Sequence, residues 1–254
     1  MLLQAEKLSK RFGGLVAVRN YNLNLPEKSI YGLIGPNGAG KTTIINILTG
    51  VIKPDTGRVL FDGVDITGKR PDEVAGFGIA RTFQNLRLFK KMTVEENIQV
   101  SAQFKHSYSM HHSILGLRRY REAEDNIFEE SRRLMELLGI ERFGKYLPTE
   151  LPYGIQKRVE IGRALALKPR ILLLDEPASG MTNQEARELS ETLKEIRRER
   201  GISMLIVEHR VPLVMDLCNY IQVMNQGEII AEGLPEEIRI NEEVIRVYLR
   251  SGIS

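Results

Sequence analysis

The sequence has no tryptophan and one cysteine, Cys218, and aromatic residues make up only 6% of its 254 positions. A lone cysteine excludes an intrachain disulfide and leaves no cysteine cluster for zinc, which fits a reducing compartment. No stretch approaches the roughly 20 apolar residues that a bilayer-spanning helix needs. The opening "MLLQAEKLSKRFGG" lacks the long apolar segment and cleavage site of a signal peptide. A role at a membrane would therefore need another chain to provide the span. Neither charge dominates: 36 Lys and Arg face 33 Asp and Glu, a net charge of +3, so the surface is mixed rather than a polycation built for nucleic acid. Internal repeats, low-complexity tracts and long linkers are missing too, which argues against tandem units and solenoids.

What remains is an ordinary globular composition, 42% hydrophobic and 27% charged, in a chain long enough for one large domain or a core with a subdomain. From Leu2 to Phe61 short apolar runs alternate with turn residues, at Gly13 and Gly14, at "PEKS", at "KPDTG" and at Asp62-Gly63, and predict strands. One helix interrupts them, from the glycine-rich turn after "IYGLI" through "KTTIINILTG" to a stop at Gly50. Between Thr93 and about Gly139 the period becomes helical: Thr93 and Glu96 form a capping box, and Ala123, Ile127, Leu134 and Leu138 share a face. After Ile155 a further helix ends near Pro169, and "ILLLD" follows as a strand covered on both faces. A helix through Ala186, Leu189, Leu193 and Ile196 stops near Gly201. The strand "SMLIVE", a hairpin around Asn225 to Gly227 and a helix through Val244 and Tyr248 complete the chain.

"GPNGAGKT", Gly35 to Thr42, fits a phosphate loop set between a strand and a helix. Gly35, Gly38 and Gly40, with Pro36, Asn37 and Ala39 between them, let the backbone wrap closely, so amide N–H groups and the positive helix end face a phosphate. Lys41 is expected to reach the β and γ oxygens, Thr42 to offer its hydroxyl to Mg²⁺, and Thr43 to lie close to the α-phosphate. The pattern alone also fits a plain glycine turn before a helix. Asp175 and Glu176 end the "ILLLD" strand, where open α/β sheets place ligands. One carboxylate is suited to a metal and the other to an attacking water, although an exposed pair of turn acids would look the same. "LIVEHR" places His209 at a second such strand end, and "GIARTFQ" places Gln84 at a third. Each of these alone also fits a structural role.

Taken together and in order, these residues resemble the nucleotide-binding subunit of an ATP-binding cassette (ABC) transporter. The resemblance covers nearly the whole chain, from about Leu3 to Leu249. It places the Walker A loop at Gly35 to Thr42, the Q-loop at Gln84, the signature at Leu151 to Gln156, Walker B at Ile171 to Asp175 with Glu176, and the switch histidine at His209. It implies an α/β fold with a P-loop NTPase core, an N-terminal antiparallel β subdomain and a helical subdomain. The implied division assigns residues 1–87 and 155–254 to the core with its β subdomain, and 88–154 to the helical part ending in the signature loop, all within one domain of residues 1–254. It further implies ATP and Mg²⁺ as cofactors, with Thr42, Gln84 and Asp175 around the metal, and Glu176, His209, Lys41 and Gln84 in hydrolysis. Phe12 matches the aromatic that stacks on adenine, with Val18 packing nearby. "PASGMT" matches the D-loop, with Thr182 where aspartate or asparagine is usual.

Within the superfamily, "RTFQNLRLFKKMTVEENIQV", the C-terminal "EEIRINEEVIRVYLRSG" and the Tyr-Gly of the signature resemble the ATPases of branched-chain amino-acid importers. Urea and short-amide importers and the lipopolysaccharide-export ATPase are close relatives. The implied partners are a second ATPase subunit, with a heterodimer favoured over a homodimer, two membrane-spanning permeases and, indirectly, an extracytoplasmic solute-binding protein. The implied location is the cytoplasmic face of the inner membrane. A DNA-associated ABC ATPase is the rival, but such heads insert very long coiled coils between the Walker motifs, and no sustained heptads occur here. The basic run "GLRRYR" around Arg118 fits a solvated helix face better than a nucleic-acid site. A second rival is an assembly switch that binds ATP and hardly hydrolyses it, against which Glu176 and His209 speak. The signature, Leu151 to Gln156, departs from its family: Pro152 and Tyr153 stand where serine and glycine are usual, Gly154 keeps a backbone amide near a helix start, and Ile155 stands where glutamine is frequent. Proline has no N–H and no hydroxyl to offer a phosphate. This chain is therefore expected to supply a good Walker A half and a poor signature half; the alternative is that Gly154 and the helix end suffice.

Overall fold

The computed structural model describes residues 1–103 and 118–250, with side chains described up to residue 103 and for residues 124–248. The side chains of Ala123 and of the basic run around Arg118 lie outside the described residues. In chain order the elements are β1 (Leu3–Phe12), β2 (Leu15–Leu25), β3 (Ile30–Ile34), α1 (Lys41–Leu48), β4 (Thr56–Phe61), β5 (Val64–Asp65), α2 (Pro71–Gly76), β6 (Ile79–Arg81) and α3 (Val94–Gln103). Then follow α4 (Arg118–Leu137), α5 (Tyr153–Ala166), β7 (Ile171–Asp175), α6 (Asn183–Arg200), β8 (Ser203–Val207), α7 (Val211–Leu217), β9 (Tyr220–Asn225), β10 (Glu228–Gly233), α8 (Pro235–Ile240) and α9 (Glu242–Arg250).

Two sheets carry the fold. The N-terminal one has the order β2-β1-β4-β5 and is antiparallel throughout. The central one has the order β10-β9-β3-β8-β7-β6, with parallel pairing everywhere except the β10 edge. Every residue of β7 and β8 is buried, which is why both are continuous apolar runs instead of alternating ones. Their period of two still decides which way each side chain faces. Leu172, Leu174, Met204 and Ile206 join the core beneath α3, α5 and α6, whereas Ile171, Leu173, Leu205 and Val207 join the core shared with α1 and the β subdomain. Each leucine so enclosed contributes about 1.5–3 kcal/mol of burial.

Parallel pairing brings the C-terminal ends of β3, β6, β7 and β8 to one edge of the sheet. That edge is where open α/β sheets bind ligands. Among the described residues no helix is long and apolar enough to cross a membrane. The short helices α2 and α8 were not foreseen: six residues each, opened by a proline at N1, they span too few turns to show a period. Helix α5 runs without a break from Tyr153 to Ala166 and packs on α3, α4 and β6. The expected boundary at residue 155 falls inside this helix, just after its start.

Candidate functional site

The phosphate loop leaves β3 at Gly35 and enters α1 through Gly40, the N-cap, at φ 111°. A Cβ at Gly40 would lie 2.3 Å from the Ala17 carbonyl oxygen and 2.7 Å from the Met224 Cε, so no other residue fits without displacing backbone. No side chain caps this helix start, which leaves the first-turn amides open to an anion. Lys41 is buried, and its Nζ donates to the carbonyls of Gly35 at 2.8 Å and Pro36 at 3.0 Å. Burial pushes its ammonium below the usual lysine range, and the charges of Glu176, Asp175 and Glu208 pull it back up. Thr42 is exposed and Thr43 half-buried in the same turn, beside exposed Asn37 and Gly38; Pro36 is half-buried and Ala39 buried.

Phe12, at the end of β1, is 47% exposed, with the Lys10 Nζ 5.7 Å from its ring centroid. It offers an open ring face for a base. Val18 does not: it is fully buried in the β-subdomain core, because its place in β2 turns it inward, and it supports the wall from behind.

Asp175 closes β7 and is buried, with its Oδ2 3.1 Å from the Arg81 guanidinium. Burial pushes its carboxyl up, and Arg81 pulls it down. Glu176 then adopts φ 48°, a left-handed conformation that costs a non-glycine residue about 1–3 kcal/mol. The reversal separates the two carboxylates: Asp175 turns toward Arg81, whereas Glu176 accepts from the Gln84 Nε2 at 3.1 Å and lies 4.0 Å from the His209 Nδ1. His209 is 39% exposed and also sits 3.8 Å from the buried Glu208. Gln84, Glu176 and His209, which lie far apart in sequence, thus converge beside the phosphate loop. The donors expected around Mg²⁺ are hard oxygens, which suits that ion. Asp175 keeps one carboxylate oxygen not engaged by Arg81, and the hydroxyl of Thr42 is exposed. Among the described residues no group of three or more His, Cys, Asp or Glu forms a cage of its own, and a single carboxylate plus nucleotide phosphates is the usual magnesium pattern.

The signature lies at the start of α5. Leu151 is buried, Pro152 is the N-cap without a side-chain cap, and Tyr153 is 40% exposed. The amides of Ile155 and Gln156 already bond the Pro152 carbonyl, and the Gln156 side chain donates to the Leu151 carbonyl at 2.9 Å. That leaves the amides of Tyr153 and Gly154 at the helix start. Thr182, the unusual D-loop residue, is the N-cap of α6, accepting from Glu185 N–H and reciprocated by the Glu185 carboxylate. Aspartate, asparagine and threonine all serve as N-caps, so the substitution keeps that task.

Sequence reasoning missed four charged residues of this site. Arg81 binds Asp175 and, at 2.6 Å, the Asn46 Oδ1 on α1. Glu208, fully buried, accepts from the amides of Ala178, His209 and Arg210, tying the D-loop to the turn carrying His209. Lys157 and Glu160 on α5 hold the backbone of Phe83 and Gln84. For Arg81 and Glu208 the available signal was a charged residue inside or directly ending an otherwise apolar run; Lys157 and Glu160 sit in the polar stretch "QKRVE" and gave none.

Comparison with known proteins agrees with this arrangement. Residues 18–179 match the family described as ABC transporter. The chain is 41% identical over 248 residues to the high-affinity branched-chain amino acid transport ATP-binding protein LivG of Escherichia coli (strain K12), covering 98% of this chain and 97% of that protein. It is 41% identical to the corresponding protein BraF of Pseudomonas aeruginosa, with the same coverage. Among solved structures, an ATP-binding cassette of an ABC transporter in its ADP conformation superimposes with a TM-score of 0.84 at 33% identity, covering 98% of each chain. A dimeric cassette captured after hydrolysis with ADP and Pi gives 0.78 at 26% identity, covering 92% of this chain and 99% of that one. With its phosphate loop and three converging strand ends in place, the chain belongs to the ABC transporter family.

Proposed function

We infer that this chain is the ATP-hydrolysing subunit of an importer for branched-chain amino acids, paired with a second ATPase subunit beneath two membrane-spanning permeases on the cytoplasmic side of the inner membrane. An extracytoplasmic solute-binding protein delivers the cargo. The observation that carries the hydrolytic part is the convergence of Gln84 and His209 on Glu176, whose charge acts on Lys41 of the Gly35–Thr42 loop. The likeness to LivG and BraF along the whole chain supports the cargo class.

In this reading Phe12 stacks on the adenine, and Lys41, Thr43 and the amides of Gly38, Gly40 and Lys41 hold the phosphates, the Ala39 amide being bonded to the Pro36 carbonyl. Thr42, Asp175 and Gln84 hold Mg²⁺, which when bound neutralises phosphate charge. Glu176 takes the proton of the attacking water, and His209 meets the developing negative charge from its other side. Glu176 lies close enough to Gln84 and His209 to be oriented by both. The two cassettes face head to tail, so that each ATP lies between one phosphate loop and the other subunit's signature. Contacts to the γ-phosphate exist only in the closed pair, and hydrolysis removes them.

The signature is this chain's weaker half, because Pro152 supplies neither N–H nor hydroxyl and Gln156 is engaged by its own chain. A heterodimer fits such asymmetry. The test measures ATPase rate and uptake of labelled leucine by the assembled transporter. Glu176→Gln is expected to lower turnover about 10²–10⁴-fold while retaining ATP binding, the usual scale for a lost general base. An unchanged rate removes Glu176 from that role, and ATP turnover without leucine uptake removes the cargo assignment.

A further inference from the structure

We propose that Lys157 is a positioning residue that fastens the Q-loop to the signature loop of its own chain, so that nucleotide at this chain's phosphate loop sets the pose of the signature it offers to the other subunit. The inference rests on the nucleotide reading above. Lys157 is 1% exposed, and a buried ammonium demands partners for its three N–H groups. It has three: the Phe83 carbonyl at 2.9 Å, the Gln84 carbonyl at 3.0 Å and the Glu160 carboxylate at 3.4 Å. Glu160, one turn further along α5, accepts the Phe83 N–H at 3.2 Å. The start of α5 thus grips the Q-loop backbone by both its N–H and its C=O groups.

The same ammonium lies 5.8 Å from the centroid of Tyr153, within cation–π range. Tyr153 in turn rests on the D-loop. A Cβ at Gly180 would come within 3.2 Å of its ring, at a backbone with φ 74°, so the small residue at 180 makes room for the large one at 153. On the other side of the Q-loop, Arg81 and Arg87 stand 5.0 and 4.2 Å from the Phe83 ring, and Arg81 holds Asp175. One buried charge therefore touches the peptide of Gln84, whose side chain reaches Glu176, and the ring of Tyr153, which faces outward at the helix start. A buried ion pair adds little net stability over an apolar pair of the same shape. What an apolar pair lacks is directionality, and here the directed bonds fix the register between two functional loops. A tyrosine at this signature position gives that cation a partner that glycine could not.

The experiment uses the full chain with Cys218→Ala and spin labels on cysteines placed at Thr149, beside the signature, and at Glu199, at the end of α6. Both native residues are exposed. The separation is measured with and without magnesium and a non-hydrolysable ATP analogue, and analogue affinity is measured on the same samples. The expected result is a change in separation on analogue binding that is lost in Lys157→Met and in Tyr153→Leu, with affinity within about twofold of the parent, and retained in Lys157→Arg. Tyr153 is 40% exposed, so its variant folds even where the buried substitution does not. A full change in either folded apolar variant, loss of analogue affinity in Lys157→Met, or no change in the parent when the analogue is bound overturns the proposal. Failure of the parent to bind the analogue at all contradicts the nucleotide reading instead.

Discussion

Helix α1 starts at Gly40 and helix α5 at Pro152, and both starts are expected to meet a phosphate, one from this chain's own nucleotide and one from the other subunit's. Their surroundings differ. At Gly40 an added Cβ would meet the Ala17 carbonyl at 2.3 Å; at Gly154 it would meet the end of a flexible side chain, Glu185 Oε1, at 3.2 Å. At Gly40 the first loop is packed against backbone, while the second has an exposed tyrosine and, at Gly154, a neighbour that can move aside. A helix end binds an anion in proportion to how closely its amides can approach and how many are free. By that measure α1 is specialised for phosphate, and α5 is specialised for gripping Phe83 and Gln84.

The comparison is broken most strongly by Gly40→Ala. It is expected to cost about 1–3 kcal/mol of stability, the scale of forcing a side chain into a backbone conformation that disfavours it, and to abolish nucleotide binding, as read by thermal unfolding and ATP titration. Gly154→Ala, by contrast, should leave both nearly unchanged, and equal damage from the two would erase the distinction. Pro152→Ser sharpens the contrast from the other side. It restores a hydroxyl and an N–H at the signature, and one net hydrogen bond of about 1 kcal/mol corresponds to roughly a fivefold rise in ATPase at the site this loop completes. Steady-state rates of the assembled transporter check it. The smallest effect belongs to Thr182→Ala, which removes the α6 cap and is expected to cost about 1 kcal/mol in a urea unfolding titration; a much larger loss of activity than of stability would instead assign Thr182 a direct part in the reaction.

Legibility in the sequence followed the range of the interaction. The Thr93–Glu96 capping box forms, with the Thr93 N–H donating to Glu96 at 2.7 Å, because it spans one helical turn. Gly201 ends α6 in a left-handed conformation at φ 63°, and the buried face Ala186, Leu189, Leu193 and Ile196 follows the helical period. The phosphate loop was legible because its chemistry is contiguous. Arg81 was not, since its partner Asp175 lies 94 residues away. Lys157 was harder still: its principal acceptors are main-chain carbonyls, a group every residue possesses, so no pairing of residue types announces the contact. Glu176 reads as a strand-end acid, yet its positive φ is imposed by the surrounding fold, including the bond from its N–H to the Val207 carbonyl at 2.8 Å. Val18, expected to pack near Phe12, is enclosed in the β-subdomain core, a burial that its neighbours in sequence do not announce because register shifts interrupt the alternation of β1 and β2.

The difference between the two helix starts is tested most directly in a transporter assembled from this chain and a distinct second ATPase subunit, by comparing Lys41→Ala with the corresponding lysine substitution in the second subunit. A strong phosphate loop joined to a weak signature predicts that Lys41→Ala lowers ATP turnover and amino-acid uptake at least about tenfold more than the other substitution. Equal losses from the two would contradict it.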